Sequence, residues 1–192
     1  SLSIATLDRA LSTHANAKGL ILDLRRNLGG SFDLTRKFAG RFLSDSVVLV
    51  RVYGKQTTWG GLLTIDPFVR IIWMPRAPRF EPPVVVLTSC LTGSTAEHLA
   101  RILQRHAGAT VIGESTAGAE AGVIHVEGEE GSRLTFSGIR VLDSTGHGLE
   151  GQGVIPDRSV PLSLDHVERL GPAAAVDDWR QRLLDTAADV LR

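Results

Sequence analysis

Two short apolar runs, at residues 19–25 and 84–89, dominate the hydrophobic pattern of the chain. Neither run alternates with polar residues, which is typical of parallel strands that are buried on both faces. Each run is followed by a segment whose apolar residues recur at helical spacing, over residues 32–43 and 95–107. This alternation of strand and helix predicts an α/β layered core with a mainly parallel sheet.

Residues 54–83 break this rhythm, because they hold tandem glycines and a cluster of prolines. They predict a hairpin followed by an extended lead into the next strand. We expect residues 1–160 to form one α/β core and residues 161–192 to form a helical extension of the same domain. The other predicted elements are a helix over 4–15, strands over 47–53 and 110–114, a β-hairpin over 123–143 that turns at 129–132, a glycine-rich loop over 146–157 and a helix over 173–191.

Composition and charge exclude several functional classes. The chain has 192 residues with 21 basic and 21 acidic side chains, so its formal net charge is zero and it offers no basic surface for nucleic acid. Its single cysteine, Cys90, cannot form an intrachain disulfide or a CxxC metal or redox site. No apolar run is long enough to span a membrane. The six histidines show no metal-binding spacing, so we expect no metal and no cofactor.

The segment from Val84 to Leu103 combines a buried strand, a turn of small residues and a helix that begins near Ser94. In one interpretation Ser94 and Glu97 form a capping box, in which Ser94 caps the helix and Glu97 reaches back to the cap amide. In the other interpretation Ser94 is a nucleophile beside free helix amides, which suit a developing oxyanion. Taken alone, the segment favours the capping box.

Gly29 and Gly30 lie in the loop after the first apolar run. Tandem glycines let backbone amides approach a substrate carbonyl closely, but they also serve simply as a tight turn before a helix. If the two apolar runs are neighbouring parallel strands, this loop and the Ser94 turn leave the sheet at the same carboxyl edge. Open α/β sheets place their functional sites at that edge.

Four segments together resemble the signature motifs of the tail-specific, or C-terminal processing, serine peptidases. In chain order they are residues 19–30 (GLILDLRRNLGG), 84–100 (VVVLTSCLTGSTAEHLA), 111–118 (VIGESTAG) and 151–157 (GQGVIPD). Each motif alone is weak, but the ordered set covers most of the chain. The resemblance implies a crotonase-like or Clp-protease-like α/β core that acts on a peptide or protein substrate.

By position, the resemblance implies that Ser94 is the nucleophile and that Glu97 is an acidic residue supporting the site. It implies that the amide of Thr95 forms half of an oxyanion hole and that either Gly29 or Gly30 supplies the other half. The polar positions of the first motif, where we expect loop bracing rather than chemistry, are Asp23, Arg25 and Asn27.

The general base is where the chain departs from the family pattern. In the processing-protease branch a lysine follows the third motif, and here that position is Ala119. The chain is therefore closer to the branch without this lysine, which includes the tricorn core and the retinoid-binding repeats and takes a histidine from upstream of the first motif. Because the chain lacks an initiator methionine and starts only a helix before that motif, we expect a fragment without its histidine-bearing segment. Within the chain, the candidate bases are His98, four residues after Ser94 and therefore a neighbour on the helix, and His14 and His147.

These features predict the core of a serine peptidase in which Ser94 attacks a peptide carbonyl. An alternative is a catalytically inactive member of the same fold that binds a small hydrophobic ligand or peptide in a groove near Trp59, Phe68 and Trp73. A third interpretation is a domain used only for assembly. Formation of a homo-oligomer is left open, and the family suggests a location outside the cytoplasm.

Overall fold

The computed structural model of the protein describes residues 3–53, 56–57, 63–64 and 69–192. Its strands form a parallel sheet, an antiparallel sheet and a short hairpin, and helices cover the sheets. In chain order the elements are α1 (Ile4–Thr13), β1 (Leu20–Asp23), α2 (Phe32–Ala39), β2 (Val47–Tyr53), β3 (Gln56–Thr57), β4 (Leu63–Thr64), β5 (Val69–Trp73), β6 (Val84–Thr88), α3 (Thr95–His106), β7 (Thr110–Gly113), β8 (Gly122–Glu127), β9 (Arg133–Leu142), β10 (Arg158–Ser159), α4 (Leu164–Leu170) and α5 (Pro172–Val190).

The parallel sheet has the strand order β1-β6-β7-β10. β1 and β6 pair directly, which confirms that the two apolar runs are neighbouring parallel strands. Every residue of β6 is buried because both faces of the sheet are covered. Val86 faces the larger core, which α1, α2, α3 and the antiparallel sheet help to form, whereas Val85 faces a smaller core under α5.

The smaller core lies between the parallel sheet and α5, the predicted C-terminal helix. α4, a short helix just before α5, was not predicted, and Gly171 separates the two with a φ of +79°. None of the helices within the described ranges is both long and apolar enough to cross a membrane. The buried residues of the smaller core are Val85, Leu87, Ile112, Trp179, Leu183 and Ala187.

The second large sheet is antiparallel, with the order β5-β2-β9-β8. The predicted hairpin over 123–143 is confirmed as β8 and β9, which are joined by a single 3₁₀ turn at Glu129–Gly131. The strand–helix alternation suggested that residues 47–53 continue the parallel sheet. Instead, β2 pairs antiparallel with both β5 and β9.

The end of α2 accounts for this change of sheet. The helix stops at Ala39 rather than at residue 43. Beyond it, the carbonyl oxygen of Gly40 accepts a hydrogen bond from the Arg76 amide at 2.7 Å, and that of Arg41 accepts one from the Phe80 amide at 2.8 Å. These bonds tie the chain after α2 to the lead into β6, so the following strand leaves the parallel sheet.

The structure describes only part of the segment at residues 54–83. β3 and β4 pair antiparallel, with Gln56 opposite Thr64, which confirms the predicted hairpin. Trp59 and Phe68, two residues of the suggested ligand groove, lie outside the described residues. The third, Trp73, is fully buried in the larger core, where its ring meets that of Phe32 edge-on at a centroid distance of 5.5 Å. The suggestion that Trp73 lines an open groove was therefore wrong.

Candidate active site

The loops after β1 and β6 meet at the carboxyl edge of the parallel sheet, as the pairing of the two strands requires. The Thr92 hydroxyl donates to the carbonyl oxygen of Leu24 at 2.9 Å. The Gly93 amide donates to the carbonyl oxygen of Asn27 at 3.0 Å. These bonds hold the glycine loop after β1 against the turn that carries Ser94.

The polar residues of the first motif brace their own loop, as expected. Arg25 forms a bidentate pair with Asp23, with Nε–Oδ1 and Nη2–Oδ2 distances of 2.9 and 2.6 Å. The hydrogen bonds from Arg25 hold the pKa of the Asp23 carboxyl below its usual range. The Arg25 guanidinium also stacks over the ring of Trp179, 5.3 Å from the centroid, and the Asn27 side chain accepts a hydrogen bond from the Gly29 amide at 2.9 Å.

Ser94 has an unusual backbone conformation, with φ 54° and ψ −127°. A positive φ is uncommon for any residue other than glycine. Such a conformation costs on the order of 1–3 kcal/mol and persists only where the surrounding structure enforces it. Here the Ser94 amide donates to the Ala119 carbonyl oxygen at 3.0 Å and to Oε2 of Glu97 at 2.9 Å. This turn between β6 and α3 resembles the strained elbow that presents the serine of α/β hydrolases.

Gly29 lies so close to the Ser94 turn that no side chain fits there. A β-carbon at position 29 would lie 2.6 Å from Cβ of Ser94 and 2.9 Å from the nitrogen of Thr95, and the φ of Gly29 is +98°. The Gly29 amide is already donated to Asn27. The amides of Gly30 and Thr95, in contrast, have no hydrogen-bond partner among the described residues. Two free amides therefore lie on the two loops that meet at Ser94.

Glu97 is fully buried, and its carboxylate accepts four hydrogen bonds. Oε1 accepts from the Thr116 hydroxyl at 2.5 Å and from the Gly118 amide at 2.8 Å. Oε2 accepts from the amides of Ser94 and Ala119 at 2.9 and 3.0 Å. An ionised carboxylate has about four acceptor positions, so this one is fully used. Glu97 thus joins the Ser94 turn to the segment after β7, and the predicted capping box of Ser94 and Glu97 is present.

The third and fourth motifs pack together on this segment. The Thr116 amide donates to the Val154 carbonyl oxygen at 3.1 Å, and the Val154 amide donates to the Thr116 hydroxyl at 2.6 Å. Gly153 has a φ of +70°, and a β-carbon there would lie 2.5 Å from the Thr116 carbonyl oxygen. The Ala117 amide donates to the Thr92 carbonyl oxygen at 2.9 Å. All four motifs therefore converge on the Ser94 turn.

A family model of peptidase family S41 matches residues 3–160, which is most of the chain. The chain belongs to peptidase family S41.

Named relatives and solved structures agree with this assignment. The carboxy-terminal processing protease CtpA of Bacillus subtilis (strain 168) is 26% identical over 146 residues, which are 76% of this chain and 29% of the relative. The photosystem II D1 C-terminal processing protease aligns with a TM-score of 0.63 and 25% identity, over 89% of this chain and 44% of that chain. The tricorn protease shares the fold, with a TM-score of 0.58 and 20% identity, over 99% of this chain and 17% of that chain.

These comparisons confirm the α/β core that the four motifs implied. Both a processing protease and tricorn share the fold, so the assignment to the branch without the lysine stays a prediction. The S41 chain spans less than a third of the length of its curated relative.

Ala119, which the motif resemblance aligns with the lysine of the processing branch, lies directly beside Ser94. Its carbonyl oxygen accepts the Ser94 amide, and its own amide donates to Glu97. The Ala119 side chain is exposed. A longer side chain at this position would therefore start next to Ser94 and would not displace the core.

His98 lies on α3 with its ring in contact with Glu120 and Phe32. Its Nε2 is 3.7 Å from Oε2 of Glu120, and its ring centroid is 5.6 Å from that of Phe32. Burial, together with the positive charge of Arg51, lowers the pKa of His98 to about 4. Within the described ranges, no titratable side chain forms a hydrogen bond with the Ser94 hydroxyl. This geometry does not favour His98 as the base.

The other two candidate histidines lie elsewhere. His14 is exposed at the end of α1. His147 is exposed in the loop after β9, where its Nδ1 is 2.8 Å from the Thr145 hydroxyl. Neither forms a hydrogen bond with Ser94 in the part of the chain that the structure describes.

Two residues important for this region, Thr116 and Glu120, were missed by the sequence reasoning. Thr116 connects Glu97 to the fourth motif. Glu120 accepts the Val141 amide at 3.0 Å and the Leu149 amide at 2.8 Å, and burial raises the pKa of its carboxyl. The only signal for either residue was its position within or next to the third motif, because their partners are distant in sequence.

Two cavities adjoin the sheet edge. One, of about 240 Å³, opens beside Gly30 and Thr95. The other, of about 1010 Å³, is lined in part by Arg25, Cys90 and Trp179. The first is bounded mainly by apolar side chains, among them Ile4, Leu22, Leu34, Phe38 and Leu99.

Proposed function

We propose that this S41 domain carries out the acyl-transfer chemistry of a serine peptidase, with Ser94 as the nucleophile. The observation that carries the proposal is a strained serine flanked by the amides of Gly30 and Thr95, neither of which has a partner in the part of the chain that the structure describes. We assign these two amides as the oxyanion hole. Gly29 allows the close approach of the loop but does not donate, because its amide is already bonded to Asn27.

In the reaction, Oγ of Ser94 attacks the carbonyl carbon of a peptide bond while a base takes the hydroxyl proton. The oxyanion of the tetrahedral intermediate accepts hydrogen bonds from the two amides. Collapse of the intermediate expels the amine, which receives the proton from the base, and leaves an ester on Ser94 that water hydrolyses. Glu97 acts as a positioning residue in this scheme, because it holds the Ser94 amide and the loop of Thr116 in one network.

We further propose that the base lies outside the described residues. His98 has its ring against Glu120, and Ala119 stands where a lysine would be expected. The base then comes from a segment that the structure does not describe or from another part of the protein. A histidine from such a segment is consistent with the predicted branch of the family.

The substrate is proposed to be a peptide or protein with an apolar side chain near the cleaved bond. The apolar cavity beside Gly30 and Thr95 could take that side chain, because it borders the two oxyanion donors. CtpA of Bacillus subtilis is named a carboxy-terminal processing protease, which makes removal of a C-terminal segment a candidate activity here. Homo-oligomer formation stays a prediction.

The direct test is reaction of the natural, full-length protein with a fluorophosphonate, followed by mass spectrometry of the labelled peptide. We expect modification of Ser94 and its loss in Ser94→Ala. Ser115→Ala is the matched control, since Ser115 is an exposed serine on the neighbouring segment and should leave labelling unchanged. A folded full-length protein that is not labelled at Ser94 would refute the proposal.

The missing base can be tested separately with Ala119→Lys in the 192-residue chain. A lysine amine next to Ser94 supplies a base, so labelling of Ser94 should become at least about a hundredfold faster than in the unsubstituted chain, which is the low end for general-base catalysis. Ala117→Lys, at another exposed position of the same segment, is the control and should have no effect. Equal rates in the two variants would contradict the placement of position 119.

A further inference from the structure

A third cavity, of about 260 Å³, lies between α3 and the antiparallel sheet. One face of α3 lines this cavity with His98, Arg101 and Arg105, since residues three and four apart are neighbours on a helix. Its other walls come from β2 and from the loop that follows β9. Ser94 and its proposed oxyanion donors are not among its lining residues. The cavity is therefore separate from the proposed active site.

Two side chains in this cavity form no hydrogen bond with a described residue. One is His98, which is only 6% exposed and whose Nε2 lies 3.7 Å from Oε2 of Glu120. The other is Arg101, which is half-buried and whose guanidinium has neither a hydrogen bond nor an ion pair in the described ranges. Partial burial lowers the pKa of Arg101. Both side chains can therefore still donate a hydrogen bond to a ligand in the cavity.

The other charged groups at the cavity are already compensated. Arg105 pairs with Asp143 at 3.4 Å, and Asp143 also accepts hydrogen bonds from the turn at Thr145 and His147. The Glu120 carboxyl lies at the buried end, where it accepts two backbone amides. Burial raises the pKa of the Glu120 carboxyl. His106 and His147 also line the cavity. Arg101 is thus the charged group at this cavity that forms no ion pair with a described residue, and Asp143 acts on it only at longer range.

Most of the rest of the wall is apolar. A ligand that contacts both Arg101 and this wall would need a single negative group and an apolar body. Inorganic anions offer no such body, and long fatty acids exceed the small volume. Besides Ser46 and Ser144, the wall is formed by the apolar side chains of Val47, Val48, Leu49, Ile102, Val141, Leu142 and Leu149.

We propose that this cavity binds a small carboxylate with an apolar body. The carboxylate accepts hydrogen bonds from the Arg101 guanidinium and from the ring of neutral His98, and the body packs against the apolar wall. Arg101 and a carboxylate form the charge-assisted type of hydrogen bond, which is the strong type. A free short-chain acid and the C-terminal residue of a peptide present this same chemistry, so both are probed.

The test titrates the 192-residue chain with hexanoate and with N-acetylleucine by NMR. We expect saturable binding of at least one of them, with chemical-shift changes centred on residues 98–105 and 142–149. Tighter binding of hexanoate would identify a free short-chain acid as the ligand, and tighter binding of N-acetylleucine would identify the C-terminal residue of a peptide. Hexanamide, which has the same body without the charge, should bind at least about tenfold more weakly, because hydrogen bonds to charged groups are the stronger ones. Inorganic phosphate should not produce these shifts.

Variants separate this site from the proposed active site. Arg101→Gln should weaken carboxylate binding at least about tenfold, whereas Arg101→Lys should keep part of it. Arg133→Gln removes an exposed arginine on β9 and should bind like the unsubstituted chain, as should Ser94→Ala. Absence of binding up to tens of millimolar would overturn the proposal. Equal binding of hexanamide, or unchanged affinity in a folded Arg101→Gln protein, would do so as well.

Discussion

Replacing Glu97 with glutamine tests whether one buried carboxylate holds the Ser94 turn in place. The two side chains have nearly the same shape, but the carboxylate accepts four hydrogen bonds here. A glutamine amide has one acceptor oxygen and an NH₂ group that only donates. If the NH₂ group takes the position of Oε2, it faces the amides of Ser94 and Ala119. If it takes the position of Oε1, it faces the Gly118 amide and the Thr116 hydroxyl, and this hydroxyl can rotate to accept.

The Ser94 amide keeps its hydrogen bond to the Ala119 carbonyl oxygen, so the structure predicts one unpaired amide in either orientation, that of Ala119 or that of Gly118. Such a loss costs about 1–3 kcal/mol. We expect the free energy of unfolding to fall by this amount, which is a sizeable fraction of the ~5–15 kcal/mol that is typical of a domain. In a domain of this size the loss corresponds to a fall in Tm of roughly 2–12 °C.

Urea denaturation followed by circular dichroism measures this difference. Glu127→Gln is the matched control, because Glu127 is 63% exposed on β8 and pairs only with another surface side chain. The control should stay within about 0.5 kcal/mol of the unsubstituted chain. A change of less than about 0.5 kcal/mol in Glu97→Gln as well would refute the view that Glu97 anchors the turn.

Three further predictions concern single substitutions. In the full-length protein, Gly29→Ala should abolish fluorophosphonate labelling of Ser94, since the new β-carbon would lie 2.6 Å from Cβ of Ser94. In the 192-residue chain it should lower stability more than Gly131→Ala, where φ is +76° but the space is open, and equal losses would contradict the clash. Leu183→Ala should lower the free energy of unfolding by about 2–5 kcal/mol in a urea titration, because this side chain is fully buried under α5; a loss below about 1 kcal/mol would mean that α5 is not part of the core. Burial lowers the pKa of His98 from 6.5 to about 4, so between these values the unfolded state binds a proton that the folded state excludes. The stability due to neutral His98 is complete above about pH 6.5 and is lost as the pH falls towards 4, by up to about 3 kcal/mol. In His98→Gln the free energy of unfolding should therefore change less with pH over this range. Parallel curves of the free energy of unfolding against pH for the two proteins would exclude the effect.

Much of the fold could be predicted because its signals are local. The apolar runs identified β1 and β6 as neighbouring parallel strands, which is confirmed. Every residue of β6 is buried, whereas β1 lies at the edge of the sheet and alternates between half-buried and exposed residues, so the expected burial on both faces was wrong for β1. The periodic segments after them identified α2 and α3, with an error only at the end of α2. The sheet that β2 joins could not be predicted in this way. A strand's own pattern shows which residues are apolar, but its partners are chosen by hydrogen bonds to distant segments.

In the candidate site, too, some features could be predicted from the sequence and others could not. The ordered motifs pointed to Ser94 and Glu97, because residue type and spacing are visible in the chain. The choice between Gly29 and Gly30 was left open, and it depends on a hydrogen bond that Asn27 makes within the folded loop. The role of Thr116 in the network around Glu97 was also invisible, since it rests on contacts across the fold.

The sequence by itself determined the family, the order of the motifs and the serine at the start of α3, because these follow from residue types and short spacings. Only the tertiary structure decided which amides near Ser94 lack a partner among the described residues, that Ala119 lies beside Ser94 and that His98 contacts Glu120. The physical reason is that whether an amide, a carboxylate or an imidazole has a partner depends on segments that are distant in sequence and meet only when the sheets and helices pack together. The turn at Ser94 is strained for the same reason, since the bonds that enforce its positive φ come from Glu97 and from the segment after β7.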